Sequence, residues 1–159
     1  MNRPEPDAVL PSGDDAPLLP GYYDDFTLWL RAQAALLRER KVELLDVENL
    51  AEEVEGMARK EHRELSNRLH VVLVHLLKCQ VQPSHRSRNW LGTLREQRRQ
   101  IHKLIKDSPS LRRYVAEYAD DVYRDAVSTA ALETGLPDAG FPRSNPFSLD
   151  QLLDPDYVP

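Results

Sequence analysis

One cysteine, Cys79, is all the chain has, so no intrachain disulfide can hold the fold, which fits a reducing cytoplasm. Glycine is also scarce, six scattered residues, and none of them builds a Gly-rich phosphate loop. The longest apolar run is interrupted by His75 and Lys78 and falls short of the roughly 20 residues that span a bilayer. The opening stretch, MNRPEPDAVLPSGDDAPLLPG, offers neither a basic leader nor an apolar core, so no secretory signal is expected. Positive charge is not in excess either. The formal net charge of −5 argues against general binding to nucleic acid or to an anionic membrane through the field of the whole molecule. The expectation is a soluble, cytoplasmic protein.

What is present is helical period. From Asp46 to about Gln80 the chain has no proline, and Leu50, Val54, Met57, Leu65, Val72, Leu76 and Cys79 fall on one stripe at 100° per residue. Asp46 is placed as the N-cap, with Leu45 and Leu50 as a hydrophobic staple. Into the same stripe, at seven-residue intervals, come Glu61, Arg68 and His75, because a heptad turns a helix by only about 20°. In the second half Leu69, Val71, Val72, Leu73, Val74, Leu76 and Leu77 leave almost no polar side. A helix apolar all round is buried all round, by its own chain or by a second copy, so a homodimer is expected to form there.

Three further helices and a strap surround this one. Tyr22 to about Arg40 repeats Tyr22, Phe26, Trp29, Leu30, Gln33 and Leu37 on a core stripe, with Asp24 at the helix start. Pro83 ends the long helix. Ser84 to Lys106 then sets Trp90, Leu94, Gln97, Ile101, Leu104 and Ile105 on one face. Ser108-Pro109 opens a fourth helix, with a capping hydroxyl and a proline at the first position, that runs to a stop at Gly135 and Pro137. The tail from Asp138 carries Phe141, Phe147, Leu149 and Leu152 and a capping-box pattern from Ser148 to Gln151, which reads as a strap ending in a short helix. The expected fold is all-α: an up-down bundle of about four main helices with a long central one. Its expected divisions are an acidic, Pro-rich arm at 1–20, a bundle at 21–137 and a strap at 138–159 packed on it.

A set of short motifs points to a family. Tyr23, Asp25-Phe26, Trp29, Leu45-Asp46, Glu48-Asn49-Leu50, Glu52-Glu53, Glu55 and Met57 belong to it. So do His75-Leu76-Leu77-Lys78, Gln82-Pro83, Arg86-Ser87, Trp90, Ser108-Pro109-Ser110-Leu111, Thr134-Gly135-Leu136-Pro137, Phe141-Pro142 and Leu152-Leu153-Asp154-Pro155. Together they resemble the bacterial family catalogued as domain of unknown function 29, over roughly Tyr22 to Tyr157. That resemblance implies an all-helical bundle and leaves its activity open.

Two groups of residues are candidates for a site. The first is the ladder Glu61, Arg68 and His75. Buried charge must be paired or solvated, so the plain reading is a satisfied polar layer that fixes helix register, with Glu64 pairing with Arg68. The sharper reading is a cavity where acid, guanidinium and imidazole converge on a small ligand. The second is the third helix, where seven Lys/Arg between Arg86 and Lys106 face Glu96 alone. Arg86, Arg88, Arg95, Arg98 and Arg99 are candidates for phosphate contacts, against the reading in which they pair with acidic helix starts or an acidic partner.

Enzyme chemistry has less to stand on. A carboxylate-bridged dimetal site in a bundle needs Glu-x-x-His pairs, and none of His62, His70, His75, His85 or His102 follows an acid by three or four residues. Glu48, Glu52, Glu53 and Glu55 suit a solvated helix start. Cys79 sits near a helix C-terminus, where the dipole disfavours a thiolate. No cofactor and no metal ligand set is expected. The sequence therefore favours a non-catalytic interaction or regulatory module that docks a protein partner and forms a homodimer. A nucleic-acid or small-anion binder using the arginine-rich helix comes second, and a metal-binding or enzymatic bundle last.

Overall fold

A computed structural model describes residues 19–159, so most of the arm expected at 1–20 lies outside the described residues. The chain is all-α, and no strand occurs among the described residues. It forms two compact units, one ending at Val54 and one running from Glu55 to Pro159. No helix among the described residues is long and apolar enough to cross a membrane.

The first unit opens with a turn in which the amides of Asp24 and Asp25 both donate to Gly21 O. That turn delays the helix, so α1 spans Phe26–Arg38 and its N-cap is Asp25, not Asp24. The Asp25 side chain accepts from the Leu28 amide at 2.9 Å. At the other end Lys41 N–H donates to Leu36 O and Arg40 N–H to Leu37 O, closing a Schellman motif with Arg40 at φ 58°. Only Trp29, Gln33 and Leu36 of α1 are buried. The expected core stripe is therefore half right: Trp29 and Gln33 lie inside, whereas Phe26, Leu30 and Leu37 face solvent.

A short 3-10 turn at Val42–Leu44 leads to α2, Val47–Val81, which is unbroken as the absence of proline requires. Asp46 caps it, accepting from the Asn49 amide at 3.3 Å. The apolar stripe of α2 is not core throughout: Val54 and Met57 are exposed, and continuous burial starts at Leu65. Periodicity places residues on a common face but does not say where another element covers it.

In the second unit that cover is nearly complete, with Val71 half-buried. Leu69, Val72, Leu73, Val74, Leu76, Leu77 and Cys79 are all buried within one chain. Most of the apolar half of α2 is thus covered by its own chain, so its composition alone does not call for a second copy there. Each such leucine contributes about 1.5–3 kcal/mol of burial. The partners are α3 (Arg88–Asp107), α4 (Val115–Asp121), α5 (Tyr123–Thr134) and α6 (Leu149–Leu153) with the segments between them.

Ser87 caps α3 by accepting from Trp90 N–H, four residues in from the expected start. The fourth helix read from the sequence is divided. Ser108 makes no side-chain cap, Pro109–Tyr114 winds as 3-10, and a kink at Val122 (φ −90°, ψ 0°) separates α4 from α5. Gly135, at φ 71°, closes α5 in the left-handed conformation that favours glycine. The strap buries Phe141, Phe147, Leu152 and Leu153, and α6 has the expected reciprocal capping box of Ser148 and Gln151.

Candidate functional site

The ladder Glu61, Arg68, His75 does not converge. Glu61 and Arg68 line one open groove of about 470 Å³ between α2 and α3, together with Lys60, Glu64, Gln100, Lys103 and Asp107. Arg68 pairs with Glu64, four residues earlier as expected, and donates to Gln97 Oε1 at 2.9 Å. Its Nε–H is buried without an acceptor among the described residues. His75 is not in that groove. Its Nδ1 lies 2.9 Å from Val71 O on its own helix, so this nitrogen carries the proton, and burial pushes its pKa down. Lys60, Arg68 and Lys103 are balanced in the groove by Glu61, Glu64 and Asp107, and no imidazole is present to change charge near neutral pH. Arg68 is thus paired along its own helix and bonded to Gln97 of α3 while its Nε–H lacks an acceptor, and His75 stands apart from Glu61 and Arg68.

One of the five arginines proposed for a basic face, Arg98, is not on the surface. Arg98 is wholly buried, because it lies on the stripe between Leu94 and Ile101. Its Nε donates to Leu152 O at 3.0 Å, Nη2 to Gln151 O at 2.6 Å and Nη1 to Tyr157 O at 2.7 Å. His102 Nε2 lies 2.8 Å from Leu153 O, and since a carbonyl only accepts, this nitrogen also bears a proton. The carbonyls of Gln151, Leu152 and Leu153 are the last of α6 and have no partner inside that helix. A guanidinium and an imidazole from α3 supply the missing donors. Burial lowers the Arg98 pKa, with Asp154 and Tyr157 opposing, yet arginine remains protonated.

The other arginines are engaged or scattered. Arg86 donates to Cys79 O and to Pro159 O, Arg99 forks onto Glu96 at 2.8 Å, and Arg95 lies 3.7 Å from Asp156. The pair with Arg99 holds the Glu96 carboxyl at about 2. Arg88 is exposed. Arg88, Arg95 and Arg99 remain on the surface of α3 with Lys103 and Lys106.

Two further polar contacts were not anticipated. Lys78, buried within the apolar half of α2, pairs with Glu133 and lies over the Trp90 ring at 4.3 Å, so it ties three helices together. Cys79 is buried, and desolvation raises its thiol pKa, with Arg86 and Lys78 opposing. No group of three or more His, Cys, Asp or Glu among the described residues is placed to hold a metal.

The first unit carries a different kind of site. The carboxylate of Asp46 accepts from the Trp29 indole at 3.1 Å and from Asn49 Nδ2 at 2.8 Å, while Asp46 N–H donates to Gln33 Oε1 at 2.9 Å. Those bonds, Asn49 first, hold the Asp46 pKa below its ordinary value against desolvation. Tyr22 donates to Glu53 at 2.5 Å, which pushes its pKa up to about 12, and its ring meets Tyr23, Phe26 and Trp29 edge-on. The motif residues Trp29, Asp46, Asn49 and Glu53 are thus one network that locks α1 onto the start of α2.

With Trp29, Gln33 and Leu36 turned inward by this lock, α1 has a second apolar line. Phe26, Leu30 and Leu37 fall within about 40° of each other, roughly 70° around from the buried stripe. They are 45%, 39% and 52% exposed. On α2, Val47 and Val54 are 63% and 64% exposed, and Tyr23 stands almost entirely in solvent. The signal for this was available in the sequence: apolar residues occupy too wide an arc of α1 for one neighbouring element to cover.

A family model described as Domain of unknown function DUF29 matches residues 22–158. No curated protein and no solved structure matches the chain.

Proposed function

Starting from the chain's membership of the family described as Domain of unknown function DUF29, we propose that it is a non-catalytic interaction module that docks a protein partner through its N-terminal helical unit. The observation that carries this is the exposed line Phe26, Leu30 and Leu37 on a helix whose other apolar stripe is locked inward. Isolated exposed apolar residues are ordinary, whereas a contiguous line on a rigid element marks an interaction surface. The ridge is also preorganised. Trp29 and Gln33 both bond to Asp46, so little side-chain or backbone order is lost on docking. Phe26 and the neighbouring Tyr23 are suited to anchoring such a surface.

A photo-crosslinking residue placed at Leu30, in cells of the natural host, tests the reading. It should give one or a few defined protein adducts, while the same residue at exposed Lys106 in the second unit gives none of them. Equal labelling from both positions, or none from Leu30, would remove the docking surface.

A further inference from the structure

Taking that ridge as the docking surface, we infer that its occupant is a second copy of this chain, with α1 of each copy laid antiparallel on the first turns of α2 of the other. Both halves of the complementary pair are present in the first unit. On α1 the line Phe26, Leu30, Leu37 is edged, roughly 110° further around, by Arg31 and Arg38, seven residues apart. Both are exposed, and neither has an ion-pair partner among the described residues. On α2 the line Val47, Ala51, Val54 is exposed and is edged at a similar offset by Glu48 and Glu52.

The two edges have opposite charge and the same rotational sense. Two helices packed face to face bring edges of the same sense to one side only when they run antiparallel. The arginines of α1 then face the glutamates of the other copy's α2. A twofold axis repeats the arrangement, so both ridges are covered at once, the arginine edge of each copy lies beside the acidic edge of the other, and the assembly closes. Packing α1 against α1 instead would place Arg31 and Arg38 near their own counterparts. Charge thus selects the α1-to-α2 pairing, as flanking charges select partners in coiled coils.

Sedimentation of the full chain over a dilution series, with charge-reversed variants checked by circular dichroism, tests this. The wild-type chain should be a dimer. R31E/R38E alone sets acid against acid, and E48R/E52R alone sets base against base. Each should weaken the dimer at least about tenfold. Mixed in equal amounts, the two variants should form a heterodimer, because both interfaces regain opposite charges. A dimer that persists in both variants, or a mixture that stays monomeric, overturns the inference. So does a wild-type chain that is monomeric at every concentration. In that last case the Leu30 cross-link separates the two ideas: adducts with a different protein keep the docking surface, and no adducts remove both.

Discussion

The Trp29 indole nitrogen lies 3.1 Å from the Asp46 carboxylate, joining the middle of α1 to the cap of α2. This bond sets the rotation of α1. With Trp29, Gln33 and Leu36 turned inward, Leu30 and Leu37 are left facing out, so the ridge follows from the contacts with Asp46 more than from any preference of its own residues.

Asp46 is the pH-sensitive part of that contact. Its folded pKa lies below the ordinary carboxylate value because Asn49 and Trp29 donate to the charged form. A depressed carboxylate stabilises the fold above its unfolded pKa, and the contribution is lost as pH falls through the folded value. Acid titration followed by tryptophan fluorescence should show the first unit loosening below the ordinary aspartate range. In Asp46→Asn that acid step should be absent and the starting melting temperature lower.

His75 acts in the same direction at higher pH. Burial keeps its imidazole neutral, so the unfolded chain binds the proton more readily. Its contribution is present above the ordinary histidine range and fades as pH falls through the depressed folded value. Urea unfolding at a series of pH values should show that slope in the wild type and lose it in His75→Gln.

Arg98 should be the most sensitive position of the second unit. Arg98→Met leaves the buried carbonyl of Leu152 and the part-buried carbonyls of Gln151 and Tyr157 without their donor. The expected loss is about 3 kcal/mol or more in urea unfolding. Limited proteolysis should then cut within 136–159 well before global unfolding. Arg98→Lys keeps the charge but not the fork, and should recover only part of the loss.

The Arg40 and Gly135 positions are expected to respond in opposite ways. Both have positive φ, one with a side chain and one without. Arg40→Gly relieves a left-handed L residue and should stabilise by about 0.5–1 kcal/mol, while Gly135→Ala should cost about 1 kcal/mol, both read by thermal unfolding.

Much of the helical layout was legible because its signals are local. The Asp46 cap and the Ser148 to Gln151 box each involve residues within one turn of one another, and the proline-free run to Pro83 needs no partner outside its own helix. What could not be read depends on contacts remote in sequence. Arg98 sits on the apolar stripe of α3, but its acceptors lie more than 50 residues further on and are main-chain atoms without a sequence signature. Lys78 looked like an interruption of an apolar run until Glu133 and Trp90 closed around it. The ladder divides for a related reason. Seven-residue spacing does align Glu61, Arg68 and His75 on α2, but only Glu61 and Arg68 face the groove beside α3.

The most direct test of the central claim is the size of the native assembly when the ridge alone is changed. Leu30→Asp/Leu37→Asp alters exposed positions, so folding stability should stay within about 0.5 kcal/mol of the wild type. In host extract, the wild-type chain should elute as an assembly larger than its own 18.3 kDa, and the variant as a single chain with unchanged helix content. Identical elution of the two would contradict the account.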